Sequence, residues 1–150
     1  MAELYADDIT VGDEFTFGGY TVSKAEIVDF AEQFDPQPFH LDEKAAAESM
    51  FGGIVASGWH VVSLTNRMLT DSVFSTVALE GGHGTDEVRF HTPTRPGDRL
   101  SGVVEIVDIV DPPQRPQHRD VSFGVTTRND DGQDVLTMIN HGMVARRNHE

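Results

Sequence analysis

The chain has 150 residues, 25 acidic side chains against 11 Lys and Arg, a formal net charge of −14 and no cysteine. That length predicts one domain with a single core, and the missing thiols exclude a disulfide framework, a thiolate nucleophile and a cysteine-ligated zinc site. Phosphates would be repelled over most of so acidic a surface, which argues against nucleic acid or an anionic membrane as partner.

No apolar run reaches the roughly 18 residues that span a bilayer. The start MAELYADDITVGD lacks a basic flank with an apolar stretch behind it, so the expectation is a soluble, cytoplasmic protein. Lysine occurs only at Lys24 and Lys44, against nine arginines, while acids cluster at Asp7-Asp8 and Asp130-Asp131. Concentrated salt shortens charge repulsion to about 3 Å at 1 M, so this composition suits a halophilic protein. The plainer alternative is an ordinary acidic bacterial enzyme.

In chain order, Val11-Gly12-Asp13 and the Phe15/Phe17 alternation predict an opening turn and strand. Ser23-Lys24-Ala25-Glu26 reads as a capping box, and Ile27, Phe30, Ala31 and Phe34 fall at i, i+3, i+4 and i+7, an amphipathic helix. It should end at Asp35, because Pro36 disfavours helical geometry in the residue before it. Pro36 and Pro38 stiffen the next segment, and Asp42 is a suitable N-cap for a short Ala-rich helix through about Met50. After the break at Gly52-Gly53, Ser57 can cap a helix over Gly58 to Thr70 whose Val61, Leu64, Thr65, Met68 and Leu69 form one mostly apolar stripe. This is the predicted buried central helix.

From Val77 to Ala145 the pattern turns to strands. The clearest alternates Val121, Phe123, Val125 and Thr127 with Ser122, Gly124 and Thr126, then meets Asn129-Asp130-Asp131-Gly132 and a further run from Val135 to Val144. A long strand around Arg99 to Val110 completes a predicted antiparallel sheet. Periodicity alone gives an α+β class, a sheet wrapped around one helix.

The chemistry concentrates in Phe34-Asp35-Pro36-Gln37-Pro38-Phe39-His40 and in Gly58. A carboxylate and an imidazole can share the handling of a proton on water. A helix N-terminus adds unpaired N–H groups and positive potential where a carbonyl oxygen gains charge. Together they point to water added to, or removed from, a carbon next to a carbonyl. The requirement is geometric: fully extended, five residue steps span about 17 Å, so Asp35 and His40 meet only if the loop doubles back.

FDPQPFHLDEKAA, the following FGGIVASGWH and the later Arg95-Pro96-Gly97-Asp98 turn resemble the MaoC-like dehydratase family, which includes the (R)-specific enoyl-CoA hydratases, over nearly the whole chain. The resemblance implies a hot-dog fold, an acyl-thioester substrate carried by CoA or a carrier protein, and a homodimer with sheets joined edge to edge. It also implies that Asp35 and His40 activate water and that the Gly58 amide is the oxyanion donor. Pro38, Ser57, Asn66, Arg89 and Arg95 are candidate substrate-binding residues, the two arginines for the phosphates of CoA. Such a hydration needs no metal or redox cofactor, and the spacing of His83, His91, His118 and His141 matches no compact metal-ligand motif. Gln37 stands where the family usually has Asn, with Pro36 before it. That departure keeps open a non-catalytic acyl-binding module. A thioesterase is the alternative enzyme, though such hydrolases usually place an acid on the central helix and Gly58 to Met68 contains none. His60, two residues into the helix beside Trp59, reads as a packing or surface residue.

Overall fold

A computed structural model describes residues 2–147. Strand β1 (Glu14–Thr21) leads into α1 (Lys24–Phe34), the one-turn α2 (Pro38–Leu41), α3 (Glu43–Glu48) and the central α4 (Gly58–Leu69). A π-helical turn over Thr70–Phe74 then connects to β2 (Leu79–Phe90), β3 (Arg99–Val110), β4 (His118–Arg128) and β5 (Asp134–Ala145). All five strands are antiparallel in the order β1-β3-β4-β5-β2, one sheet curved around α4. This is the hot-dog arrangement. No helix among the described residues is long and apolar enough to cross a membrane.

The capping box at Ser23 forms as the sequence predicts, with Ser23 and Glu26 bonding each other's backbone N–H. Asp42 caps α3, which ends at Glu48, slightly before the predicted Met50, because the chain leaves helical geometry at Ser49. The segment after Pro36 is more ordered than stiffening alone predicts. Gln37 is extended at the N-cap and Pro38 occupies the first turn of α2, where its missing N–H costs nothing.

Val61, Leu64, Thr65, Met68 and Leu69 of α4 are all buried, as the stripe predicts. The apolar ones share one core with the inward side of β4, where Val121, Phe123, Val125 and Thr127 are buried while the residues between them are half-buried. Each such apolar side chain contributes roughly 1.5–3 kcal/mol by leaving water. A polar pair at the seam satisfies itself: the Thr65 and Thr127 hydroxyls, both fully buried, lie 2.8 Å apart. By contrast, the edge strand β2 is exposed on both faces from Gly82 to Glu87.

Candidate active site

The site forms where three short pieces of chain meet the head of α4. Asp35 terminates α1, with its N–H still bonded to the Ala31 carbonyl at 2.9 Å. The N-cap at Gln37 and the single turn of α2 reverse the chain, and the side chains that an extended segment would separate come together: His40 Nε2 lies 3.4 Å from Asp35 Oδ2. Both are sheltered, with side-chain exposures of 6% for His40 and 16% for Asp35.

Each group is fixed by further partners. His40 Nδ1 lies 2.6 Å from the Val55 carbonyl oxygen. A carbonyl only accepts, so Nδ1 carries the hydrogen and Nε2 presents a lone pair in the neutral ring. The Ser57 hydroxyl donates to Asp35 Oδ2 at 2.7 Å, and the Gln37 amide donates to Oδ1 at 2.6 Å. These bonds, that from Ser57 foremost, hold the Asp35 carboxyl below its ordinary value of 3.8; burial pulls the other way, and Gln37 and His40 add to the lowering. Asp35 is a carboxylate at neutral pH, with both oxygens engaged.

Ser57 is fully buried at the N-cap of α4, where its Oγ also accepts from the Trp59 N–H at 3.3 Å. It therefore ties the carboxylate to the start of the helix. Gly58 is the first helical residue, and its N–H has no acceptor among the described residues, one of the free donors every helix N-terminus leaves. Asp35, His40 and Gly58 border a cavity of about 600 Å³ whose remaining wall is largely apolar, with Phe39, Phe51, Val61 and Val135 among it. The arrangement can hold a polar reacting centre against a dry wall, with a base, an anion and a free amide converging on it.

The other candidate residues divide. Arg95 lines the cavity and donates to the Phe51 carbonyl at 2.7 Å, bracing the loop between α3 and α4. Pro38 does not line the cavity; it is the first residue of α2 and starts the turn that positions His40. Arg89 lies elsewhere, in a shallow depression with Glu87 and Glu105 on the outer sheet face, because it precedes Phe90 and adjacent strand residues face opposite ways. Asn66 lies eight residues along α4 from Gly58, about 12 Å at the helical rise, and lines a different cavity with Thr70 and His83.

Some contributors carry no sequence signal. The Val55 carbonyl that sets the His40 tautomer is backbone, and Phe90, which rests on Gly58, sits at the end of a strand. Gln37, which reads as a departure in the sequence, is an active partner of Asp35. A Cβ at position 58 would lie 2.5 Å from the Phe90 ring, so the first neighbour of this glycine is a side chain of the protein itself. His60 is buried, stacked on Phe30 with centroids 4.7 Å apart, and its Nδ1 has no partner among the described residues.

Residues 8–129 match the model of the MaoC like domain family. The crystal structure of a MaoC-like dehydratase from Rhodospirillum rubrum superposes with a TM-score of 0.89 at 40% identity, covering 97% of this chain and 99% of that one. The uncharacterized protein YdeM of Bacillus subtilis is 33% identical over 68% of this chain and 72% of its own length. A 3-hydroxybutyryl-CoA dehydratase of Methylorubrum extorquens is 29% identical over 77% and 71%.

Proposed function

Since the chain belongs to the MaoC-like domain family, whose relatives include dehydratases, we propose that it catalyses reversible hydration of a trans-2-enoyl thioester, an enoyl-CoA, to the 3-hydroxyacyl thioester. The observation that carries this reading is the convergence of Asp35, His40 and the free Gly58 amide on one cavity. In the proposed reaction water sits between Asp35 and His40. Its oxygen attacks C3 while His40 Nε2, the free lone pair of the ring, takes its proton. The Asp35 carboxylate holds the water and stabilises the imidazolium that forms. The Gly58 amide receives the thioester oxygen as enolate charge builds, and the imidazolium returns its proton to C2. A donor aimed at developing charge is worth about 2.7–4 kcal/mol of barrier.

The preference for CoA rests on Arg95, a cation at the cavity with no carboxylate paired to its guanidinium among the described residues. In so acidic a chain, one unpaired arginine is a local attractor for phosphate. We also propose a homodimer joined through β2, the edge strand left open on both faces, since unpaired strand edges template further pairing. Light scattering of the purified protein tests that.

The activity test is a screen against trans-2-enoyl-CoAs of increasing chain length, following loss of the conjugated-thioester absorbance. Hydration of at least one is expected. Release of free CoA without hydration would instead favour the thioesterase reading, and binding without turnover the acyl-binding module.

A further inference from the structure

Phe90 ends β2 with 53% of its surface exposed, yet its ring closes on the head of the central helix. A Cβ added to Gly58 would meet three ring atoms at 2.5, 2.7 and 2.9 Å. No gap remains between ring and glycine. Both residues border the cavity that holds Asp35 and His40.

The strand is shaped to put the ring there. In the β2–β5 pairing Asp86 opposes Ile139, then Arg89 opposes Thr137 and Phe90 opposes Leu136, so three steps on β2 run against two on β5. Asp86 is on the outer face, where it meets His141. In an unbroken strand every second residue shares that face, and Phe90 would point outward with it. The extra residue reverses the phase. Phe90 instead stands opposite Leu136, which is fully buried on the helix side. Glu87 takes up the insertion at φ 52, a left-handed backbone that non-glycine residues adopt at a cost. A bulge that re-aims one side chain beside a site is a recurrent use of such irregularities.

We propose that Phe90 is a specificity-determining residue: its ring sets the width of the slot beside the Gly58 amide and selects against substituents on the carbon next to the thioester carbonyl. The inference rests on the reading that this amide receives the thioester oxygen. An oxygen about 2.7–3.1 Å from the nitrogen places the carbonyl carbon and C2 alongside the ring edge. A hydrogen on C2 fits there, and a methyl competes with the ring.

Trp59 is the one tryptophan of the chain and borders the same cavity, so its fluorescence reports binding without turnover. Wild type, Phe90→Leu and Phe90→Ala are titrated with butyryl-CoA and 2-methylbutyryl-CoA, and assayed for hydration of crotonyl-CoA and 2-methylcrotonyl-CoA. Wild type should favour the unbranched member of each pair by roughly 10–200-fold, the range one methyl commands in a tight pocket. Phe90→Ala should remove most of that preference, with Phe90→Leu between; the exposed strand-end position leaves both variants folded, which melting curves check. An unchanged ratio in folded Phe90→Ala overturns the proposal, whatever the hydration rate. If nothing is hydrated but the ratio of dissociation constants collapses in Phe90→Ala, the role of Phe90 stands and the hydratase reading falls. Failure to bind either acyl-CoA overturns both.

Discussion

On the outer face of the sheet His83 meets Asp120 at 3.0 Å and His141 meets Asp86 at 2.8 Å, both closer than the 3.4 Å between His40 and Asp35 at the head of α4. His141 even continues to the Ser122 hydroxyl at 2.8 Å, a Ser–His–Asp chain of hydrogen bonds. Distance alone would favour the outer pairs. The outer pairs are open to water, His141 and Asp86 at 33% and 71% exposure against 6% and 16% for His40 and Asp35, and an exposed ion pair is worth about 0–1 kcal/mol. Among the described residues no backbone carbonyl fixes the outer rings in the way Val55 fixes His40, and no helix begins beside them to aim a free amide. Shelter, a defined tautomer and an aimed dipole separate a site from a surface contact, since each keeps the charge change from being absorbed by solvent.

The largest expected effect breaks the two regions apart. Asp35→Asn or His40→Ala should lower hydration by about 10²–10⁴-fold, while His83→Ala and His141→Ala leave it at the wild-type level. The double variant Asp35→Asn/His40→Ala should be little worse than either single one, as groups acting as a unit are not additive. Steady-state kinetics on an enoyl-CoA decide this, and a large loss in His141→Ala would move the chemistry to the outer face.

Gly58→Ala comes next. Its methyl must displace the Phe90 ring, which is half exposed at the end of its strand, so the melting temperature should change little. Turnover should fall by about 10²–10³-fold if the oxygen loses the amide. An unimpaired Gly58→Ala enzyme would show that the space beside the amide admits a methyl without displacing the thioester oxygen.

Salt should act on the exposed region. At 0.01 M the screening length is about 30 Å and at 1 M about 3 Å, so the repulsion of a −14 chain fades as KCl rises. The melting temperature should climb by several degrees from millimolar to molar KCl. A flat or falling curve in a thermal melt refutes salt adaptation as the reason for the charge.

The smallest effect is a pH dependence set by His60. Burial holds its imidazole below the ordinary 6.5, with the Glu26 carboxylate pulling weakly the other way. The unfolded chain thus takes up the proton first as pH falls. The contribution of the neutral ring is complete above about 6.5 and is lost as pH drops toward the lower folded value. His60→Phe preserves the stack on Phe30 and should flatten the decline in melting temperature over that range. An identical slope in the variant assigns the decline to other groups.

The sequence by itself determined the main elements and marked the candidate residues, because their signals are local. A capping box at Ser23, an apolar stripe from Val61 to Leu69, the alternation from Val121 to Thr127 and the Asp35–His40 segment each state their case within a few residues. Tertiary structure alone decided what those residues meet. The turn of α2 closes Asp35 on His40, the Val55 carbonyl chooses the tautomer, Ser57 and Gln37 hold the carboxylate ionised, and one inserted residue in β2 swings Phe90 onto Gly58 while Arg89 faces away. These contacts join positions far apart in the chain, and the bulge changes which face a side chain occupies without changing the residues themselves, so periodicity cannot register either.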